Sequence, residues 1–401
     1  MQNKPFIGVV LGGDMNSYAV ARAFYEAYGI RTVVLGLYPI HPTKDSKLIE
    51  GHYYSDLFED TGLIHAVTEL QEKYPDKKKI MFGATDQYVK HIINNREAIR
   101  EVSDTYIIPM TSADLYDRLY EKKSFYQLCE QYGLRYPKSM IFNIADGDEN
   151  MELPFEYPVF FKPSISAEYA EYEFEGKQKG YKVENAEEFR RIVNIVRSSG
   201  FPGDFIVQEY IEGKDDSMFV YTLYVNSEHK AEAITGGRIL MEDRTPELIG
   251  NYNAISNARD VELSMKLKEF VEGIGFTGIC HFDIQYVEDW NEYVVFEINI
   301  RQGRSNMYTL ASGVNLAQYV VEDYIYHDHK DDFYIADKEF TVSAVSEKRL
   351  KKALAGTSAE QYISSNFYRF QLAPYDKGLK RSLRQEKADR LIMEEYFKHA
   401  K

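Results

Sequence analysis

Cysteine is nearly missing from this chain. Among 401 residues there are two, Cys129 and Cys280, in no CxxC or other metal-binding spacing. A disulfide framework is not expected, and a reducing compartment fits. An excess of basic residues is missing as well. The 48 lysines and arginines face 63 aspartates and glutamates, for a net charge of -15. That argues against non-specific nucleic-acid binding, which needs a basic surface. It leaves nucleotides open, because they need only a local basic cleft. Long apolar runs are absent too. None approaches the roughly 20 residues of a membrane-spanning helix. The run Phe6–Leu11 is too short for the hydrophobic region of a secretory signal and reads as a first buried strand. The cytoplasm is the expected location. Repeats and low-complexity segments are also lacking. What is present, 44% hydrophobic and 28% charged residues, is the composition of a soluble globular protein. The length suits two or three domains of roughly 100–200 residues each.

Residues 6–112 alternate strand and helix. Strands are expected at 6–11, 32–35, 79–82 and 106–108, and helices at 16–28, 61–74 and 87–100. This is the pattern of a parallel α/β sheet. Gly12-Gly13-Asp14 and Gly83-Ala84-Thr85-Asp86 each set an aspartate at the carboxyl end of a strand. Ligands of open α/β sheets bind there, but an ordinary helix N-cap explains each aspartate equally. A helical period covers 113–135 and stops before Pro137. From 154 to about 240 the chain reads as strands with one helix at 186–199. Helices follow at 261–274 and 315–326. The end of the chain is basic, with Lys377, Lys380, Arg381, Arg384 and Lys387. It fits a solvated terminal helix or a weak contact with an anionic membrane surface.

One hairpin concentrates acidic and amide groups. A strand over 277–287 turns at 288–291 and returns over 292–299. Side chains alternate across a strand, so His281, Asp283, Gln285 and Val287 share one face. A turn centred near 290 sets Asp283 opposite Glu297 and His281 opposite Asn299, within a residue or two. Phe282, Ile284, Tyr286, Val294, Phe296 and Ile298 form the apolar face. Two carboxylates and an amide oxygen held together repel unless a cation lies between them. All are hard oxygen ligands, suited to Mg²⁺ held jointly with phosphates. A polar sheet face with scattered acids is the plainer alternative.

Further candidates lie upstream. Lys162 ends an apolar strand and is followed by Pro163. Lys123 lies in a helical run, where a solvated face would also account for it. Gln208-Glu209-Tyr210-Ile211-Glu212-Gly213 is a strand and turn followed by Asp215. Such a segment can offer backbone groups to a purine edge and a carboxylate to ribose hydroxyls.

The order of these signals carries more than any one of them. Lys123, Lys162-Pro163, Gln208 to Gly213 with Asp215, Asp283, then Glu297-Ile-Asn299-Ile-Arg301 resembles the linear order of the ATP-grasp enzymes, over roughly residues 5–330. Leu11-Gly-Gly-Asp-Met-Asn-Ser-Tyr, Phe174-Glu-Gly-Lys-Gln-Lys, Ile249-Gly-Asn-Tyr and Glu297-Ile-Asn-Ile-Arg-Gln-Gly-Arg-Ser are similar to the D-aspartate ligase branch. The resemblance implies a mixed α/β and α+β architecture. An N-terminal Rossmann-like pre-ATP-grasp domain would span 1–112 and the ATP-grasp domain 113–330. The latter would comprise a lid at about 150–240 and a metal-binding core sheet at about 241–330, with a C-terminal extension over 331–401.

It also implies roles. Lys123 and Lys162 would contact the α- and β-phosphates of ATP. Gln208, Glu209 and Ile211 would line the adenine pocket, and Asp215 would hold the ribose. Asp283, Glu297 and Asn299 would hold Mg²⁺, or Mn²⁺. Arg301 would face the transferred phosphoryl group or the donor carboxylate, and Arg304 the donor's second carboxylate. His281 would be a basic residue helping to bind the intermediate, or a hydrogen-bonded sheet histidine. One stretch departs from the family. Residues 164–175 contain no glycine, so Ser164, Ser166, Lys177 or Lys179 would have to replace a glycine-rich phosphate loop.

The chemistry so implied is amide formation through an acyl phosphate. D-Aspartate would be the donor and the lysine side-chain amine of UDP-MurNAc-pentapeptide the acceptor, with the lid excluding water. A ligase with another donor or acceptor, a carboxylase or kinase of the same fold, and a non-catalytic ATP-binding protein are the rivals.

Overall fold

The computed structural model describes residues 3–165, 168, 169, 171–213, 216–245, 248 and 250–399. The chain forms two compact units. One comprises Met1–Leu134, Lys214–Tyr286 and Val295–Lys401. The other comprises Arg135–Gly213 and the hairpin tip Val287–Val294.

The larger unit begins with five parallel strands, β1 (Phe6–Leu11), β2 (Thr32–Gly36), β3 (Ile49–Tyr53), β4 (Lys78–Gly83) and β5 (Tyr106–Ile107), in the order β3-β2-β1-β4-β5. β1 and β2 are buried throughout, as unbroken apolar runs in a covered parallel sheet should be. The connecting helices are α1 (Met15–Tyr28), α2 (Asp60–Lys73), α3 (Asp86–Asn94) and α4 (Arg96–Val102). The single helix expected over 87–100 is broken at Asn95. The strand order reverses between β1 and β4, which is where open α/β sheets bind ligands. The turns carrying Asp14 and Asp86 meet there. Gly12 has φ +112°, and a Cβ on it would lie 2.7 Å from the Ala84 Cβ, so only glycine lets the two turns touch. The run over 113–135 is likewise two helices, α5 (Ala113–Tyr120) and α6 (Lys122–Gln131), divided at Glu121.

The smaller unit is an antiparallel sheet of β6 (Ser139–Asn143), β7 (Val159–Pro163), β8 (Tyr181–Val183) and β9 (Asp204–Glu209), in the order β6-β9-β7-β8. Helix α7 (Ala186–Ser198) covers one face with Phe189, Ile192, Val193 and Val196. These pack against Phe142, Phe161, Phe205 and Val207.

The larger unit then resumes with β10 (Met218–Val225), β11 (Ala231–Glu242), β12 (Tyr252–Ala258), helix α8 (Val261–Gly273), β13 (Gly278–Val287) and β14 (Glu292–Asn299). Helices α9 (Met307–Ala311) and α10 (Leu316–Val321), the short β15 (Tyr334–Ile335) and β16 (Thr341–Ser343), α11 (Glu347–Leu354), β17 (Phe367–Arg369) and α12 (Leu379–Lys398) complete the chain. The large sheet runs β14-β13-β10-β11-β12-β16-β17, with β15 beside β11. Helices α1 and α10 share one core with both sheets of this unit: Val10, Phe24 and Phe82 join Tyr224, Ala233, Ile279 and Val320.

Two expected boundaries shift. The span 150–240 is divided, because β10 and β11 are interior strands of the large sheet. Their nearly complete burial reflects that place and not a lid. The 331–401 segment is no appendage either. It supplies β15–β17, and its basic helix is anchored within the same unit. Arg381 is 5% exposed and donates to the carbonyls of Pro42, Lys44 and Gln371. It lies 3.3 Å from Asp376, whose carboxylate also accepts from Tyr18 Oη, Ser46 Oγ and Lys47 N. Arg384 pairs with Asp45 at 2.8 Å. Two of the basic groups considered for a membrane contact are therefore spent on the fold. Among the described residues no helix is long and apolar enough to cross a membrane.

Removing Asp376 would leave the Arg381 guanidinium buried beside no anion. Asp376→Ala is expected to cost about 3–5 kcal/mol of unfolding free energy, read from urea unfolding. A cost below about 1 kcal/mol would show the pair to be replaceable.

Candidate active site

Asp283 on β13 and Asn299 at the end of β14 come together, where the sequence reading set Asn299 opposite His281 within a residue or two. The Asn299 amide donates to Asp283 Oδ2 at 2.9 Å, and Tyr252 Oη donates to Asp283 Oδ1 at 2.9 Å. Burial, with the nearby Glu297 carboxylate, pushes the Asp283 carboxyl up to about 7, although the Tyr252 hydrogen bond, Arg301 and Lys122 pull the other way. Two acids that cannot both ionise comfortably are stabilised by any cation placed between them.

A lysine already supplies part of that charge. Lys122, the first residue of α6, donates to Glu297 Oε2 at 2.9 Å and to the Phe296 carbonyl at 3.1 Å. Tyr126, one turn on, donates to the same carbonyl at 3.2 Å. Burial opposes the Lys122 charge, but Glu297 leads a set of neighbours that holds its pKa above the usual lysine value. Lys123, the residue chosen from the sequence, is exposed on the helix. The signal that separates the two lysines is the break at Glu121, which starts α6 at Lys122 and turns that side chain toward β14.

His281 is 3% exposed, and its Nδ1 lies 2.8 Å from Thr222 Oγ1. Thr222 Oγ1 in turn lies 2.6 Å from Tyr308 Oη. Burial and the Arg301 charge lower its pKa to about 3. At neutral pH it is an uncharged ring braced by hydroxyls, the hydrogen-bonded sheet histidine of the two readings offered above.

Arg301 donates to Asp86 Oδ2 at 2.8 Å and to Asn299 Oδ1 at 3.2 Å, while its Nε has no hydrogen-bond partner. The first-turn acid of α3 thus reaches the end of β14 across the switch point. The loop after Arg301 is clasped from the other side. Asn16 on α1 donates to the carbonyls of Gln302 and Ala84 at 2.8 and 2.9 Å, and Gln302 Nε2 donates back to Asn16 Oδ1 at 2.5 Å. A Cβ on Gly303 would fall 2.6 Å from the His281 ring, so this loop lies directly on β13. Arg304 is half-buried. Burial holds it below the usual arginine value against the pull of Asp14 and Asp243.

The smaller unit carries the remaining candidates. Register pairs Phe160 with Gln208 and Lys162 with Ile206, which sets these four on the sheet face opposite α7. Gln208 is 3% exposed, and its Oε1 has no hydrogen-bond partner. Lys182 shares that face through its pairing with Phe160 and stacks its ammonium 4.7 Å from the Tyr210 ring; the sequence reading missed it. The Glu209 carboxylate accepts from Arg135 at 3.1 Å and from the Lys138 amide at 3.2 Å, so that side chain is engaged within its own unit. Ile211 is buried and Lys179 exposed. Asp215, Ser166 and Ile249 lie outside the described residues.

No family model matches the chain. The D-aspartate ligase of Enterococcus faecium (strain Aus0004) is 37% identical over 333 residues, covering 82% of this chain and 78% of that protein. Among solved structures, the L-amino acid ligase from Bacillus licheniformis superposes with a TM-score of 0.54 at 13% identity, over 80% of this chain and 74% of its own. The biotin carboxylase domain of the Hydrogenobacter thermophilus 2-oxoglutarate carboxylase, solved with MgADP, ADP and bicarbonate, gives 0.58 at 15% identity, over 80% and 70%.

A carboxyl raised from 3.8 to about 7 makes the folded chain bind more protons than the unfolded chain between those values. Asp283 therefore takes stability away as pH rises through that window, and the loss is complete above about 7. In chelator-containing buffer, Asp283→Asn is expected to gain stability relative to the unsubstituted protein between about pH 5 and about pH 8. Urea unfolding at the two pH values reads this; a constant difference would remove Asp283 as the titrating group.

Proposed function

Since the chain belongs to the D-aspartate ligases, ATP-grasp enzymes that form C–N bonds, we propose that it joins D-aspartate to the lysine side-chain amine of UDP-MurNAc-pentapeptide in the cytoplasm. The observation that carries this reading is the pair of carboxylates Asp283 and Glu297, with Asn299, Lys122 and Arg301 around them, in a chain 37% identical to a D-aspartate ligase.

A carboxylate is a poor acyl donor because its leaving group would be oxide. Transfer of the γ-phosphoryl of ATP gives an acyl phosphate. The acceptor amine then attacks the carbonyl and phosphate leaves. The chain must hold the reacting groups in line and meet the charge that develops. Lys122 and Lys162 would contact ATP phosphates. Gln208, the backbone of Glu209 and Ile211 would receive the adenine, Asp215 the ribose, and Lys179 the phosphates in place of a glycine-rich loop. Arg301, held by Asp86 and Asn299 with Nε to spare, would face the transferred phosphoryl group and the carbonyl oxygen.

Asp283, Glu297 and Asn299 would hold Mg²⁺ or Mn²⁺, and the fit rests on an Asp283 carboxyl that burial, with the Glu297 charge beside it, already raises. The metal, when bound, supplies neutralisation of the phosphoryl oxygens. Asn299 is suited to this because its amide can turn its oxygen toward Asp283 without moving the strand.

The test is phosphate release from ATP and Mg²⁺ with UDP-MurNAc-pentapeptide and each of D-aspartate, L-aspartate, D-alanine and glycine. Release that requires both D-aspartate and the precursor, with a product one aspartyl residue heavier, supports the reading. Release with another amino acid moves the donor assignment and keeps the ligase. No release with any of them counts against the proposal. In the same assay Asp283→Ala is expected to lose about 1,000-fold in turnover and Lys122→Met about 100-fold, with Lys123→Met close to the unsubstituted protein. Undiminished turnover in Asp283→Ala would sink the metal assignment, and an equal loss in both lysine variants would undo the choice between them.

A further inference from the structure

Two charged groups at the switch point take no part in the phosphoryl transfer above: Arg304, for which the resemblance implies the donor's second carboxylate, and Asp14, which has no role so far. Asp14 follows the Gly12-Gly13 turn at the head of α1, where its Oδ1 accepts from the Ser17 amide at 3.1 Å. Arg304 lies three residues beyond Arg301, and its buried Nη1 has no hydrogen-bond partner. A buried guanidinium nitrogen without an acceptor is costly unless a ligand meets it. The carboxylates acting on Arg304 are Asp14 and Asp243. Each accepts one backbone amide at 3.1 Å, and Asp14 is the one on the turn that Asn16 clasps to the Arg304 loop. Burial, the largest influence, raises the Asp14 carboxyl, and the nearby charges of Arg301 and Arg304 oppose this. A further cation against Asp14 would be stabilising.

The positions are fixed by more than charge. Asn16 lies two residues after Asp14 and clasps both the carbonyl and the side chain of Gln302. Gln302 Oε1 accepts in turn from Asn306 at 3.0 Å. The loop bearing Arg301 and Arg304 is thereby held on the first turn of α1, which carries Asp14.

We infer that Asp14 and Arg304 read the donor amino acid: Arg304 takes the carboxylate that is not phosphorylated, and Asp14 takes the ammonium group. This rests on the ligase reading above and deepens it. The charges match, since Arg301, Arg304 and Asp14 offer two cations and one anion to a donor with two carboxylates and one ammonium. Three anchors around one carbon also distinguish its mirror images. With both carboxylates held by the arginines, inverting the α-carbon exchanges the ammonium with a hydrogen and turns it away from Asp14. Chirality would then be read by a single carboxylate on the first βα turn.

Asn at position 14 keeps a good helix cap while removing the charge, so Asp14→Asn tests recognition without undoing α1. Full-length Asp14→Asn and Arg304→Gln are compared with the unsubstituted enzyme. The donors are D-aspartate, L-aspartate, succinate (no amine), and β-alanine and D-alanine (each lacking one carboxylate). Affinity is read as KM for donors that turn over and as a competitive Ki for those that do not. Asp14→Asn is expected to weaken D-aspartate about 100-fold, to spare succinate and the KM for ATP, and to narrow the D-to-L preference. Arg304→Gln should erase the preference for D-aspartate over one of the two monocarboxylates, the one lacking the carboxylate that Arg304 holds. Equal weakening of aspartate and succinate in Asp14→Asn, or an unchanged D-aspartate KM, would overturn the inference. The unsubstituted enzyme keeps the two claims apart. If it uses another amino acid, the D-aspartate reading fails and the variants are scored on that donor against its des-amino analogue. If it turns over no amino donor, both fall.

Discussion

A largely buried carboxylate, Asp283, held beside a second and more exposed one, Glu297, sets the terms for everything around them. Asp283 and Glu297 cost free energy as a pair, and the neighbouring groups offset that cost. Lys122 leans from α6 onto Glu297, Tyr252 and Asn299 donate to Asp283, and Arg301 adds a cation just beyond. None of these partners lies on the same strand as Asp283. The helix α6, strand β12, the end of β14 and, through Asp86, the head of α3 all have to be correctly placed for the pair to be tolerated. A site with this much unfavourable charge can persist only in a fold rigid for other reasons, which the shared core of α1 and α10 between the two sheets supplies.

Much of this was legible in the chain. Alternation along 278–299 put Asp283 and Asn299 on one face because side-chain period is a local property of extended backbone. The parallel sheet was legible from unbroken apolar runs such as Phe6–Leu11. What escaped depends on long-range partners. β3 at 49–53 and β6 at 139–143 are short edge strands; β3 has few apolar residues to mark it, and β6 has only the three of Met140-Ile141-Phe142. Lys122 and Lys123 are indistinguishable until the start of α6 is known, and a one-residue shift on a helix turns a side chain by about 100°. β10 and β11 read as strands of a lid because hydrophobic content shows that a strand is buried, not which sheet buries it.

The basic tail illustrates the same limit from another side. Lys377, Arg381 and Arg384 look like one cluster in sequence, but the fold treats them differently. Arg381 is drawn inside by three carbonyls and Asp376, Arg384 reaches Asp45, and Lys377 stays exposed. Charge density along a sequence cannot distinguish a solvated cation from a buried fastener. The partners on the 42–45 loop lie more than 300 residues away.

That fastener bears on how the protein is made. The bond from Tyr18 to Asp376 spans 358 residues, and the neighbouring contacts of Ser46 and Lys47 with Asp376 span nearly as many. The first sheet of the chain therefore emerges from the ribosome long before the residues that finish its surface. For most of synthesis the 40–48 loop and the outer side of α1 must wait without their partner. Contacts of such separation slow folding and lengthen the exposure of unfinished surface. The nascent N-terminal half is thus the stage at which this chain would depend most on a chaperone.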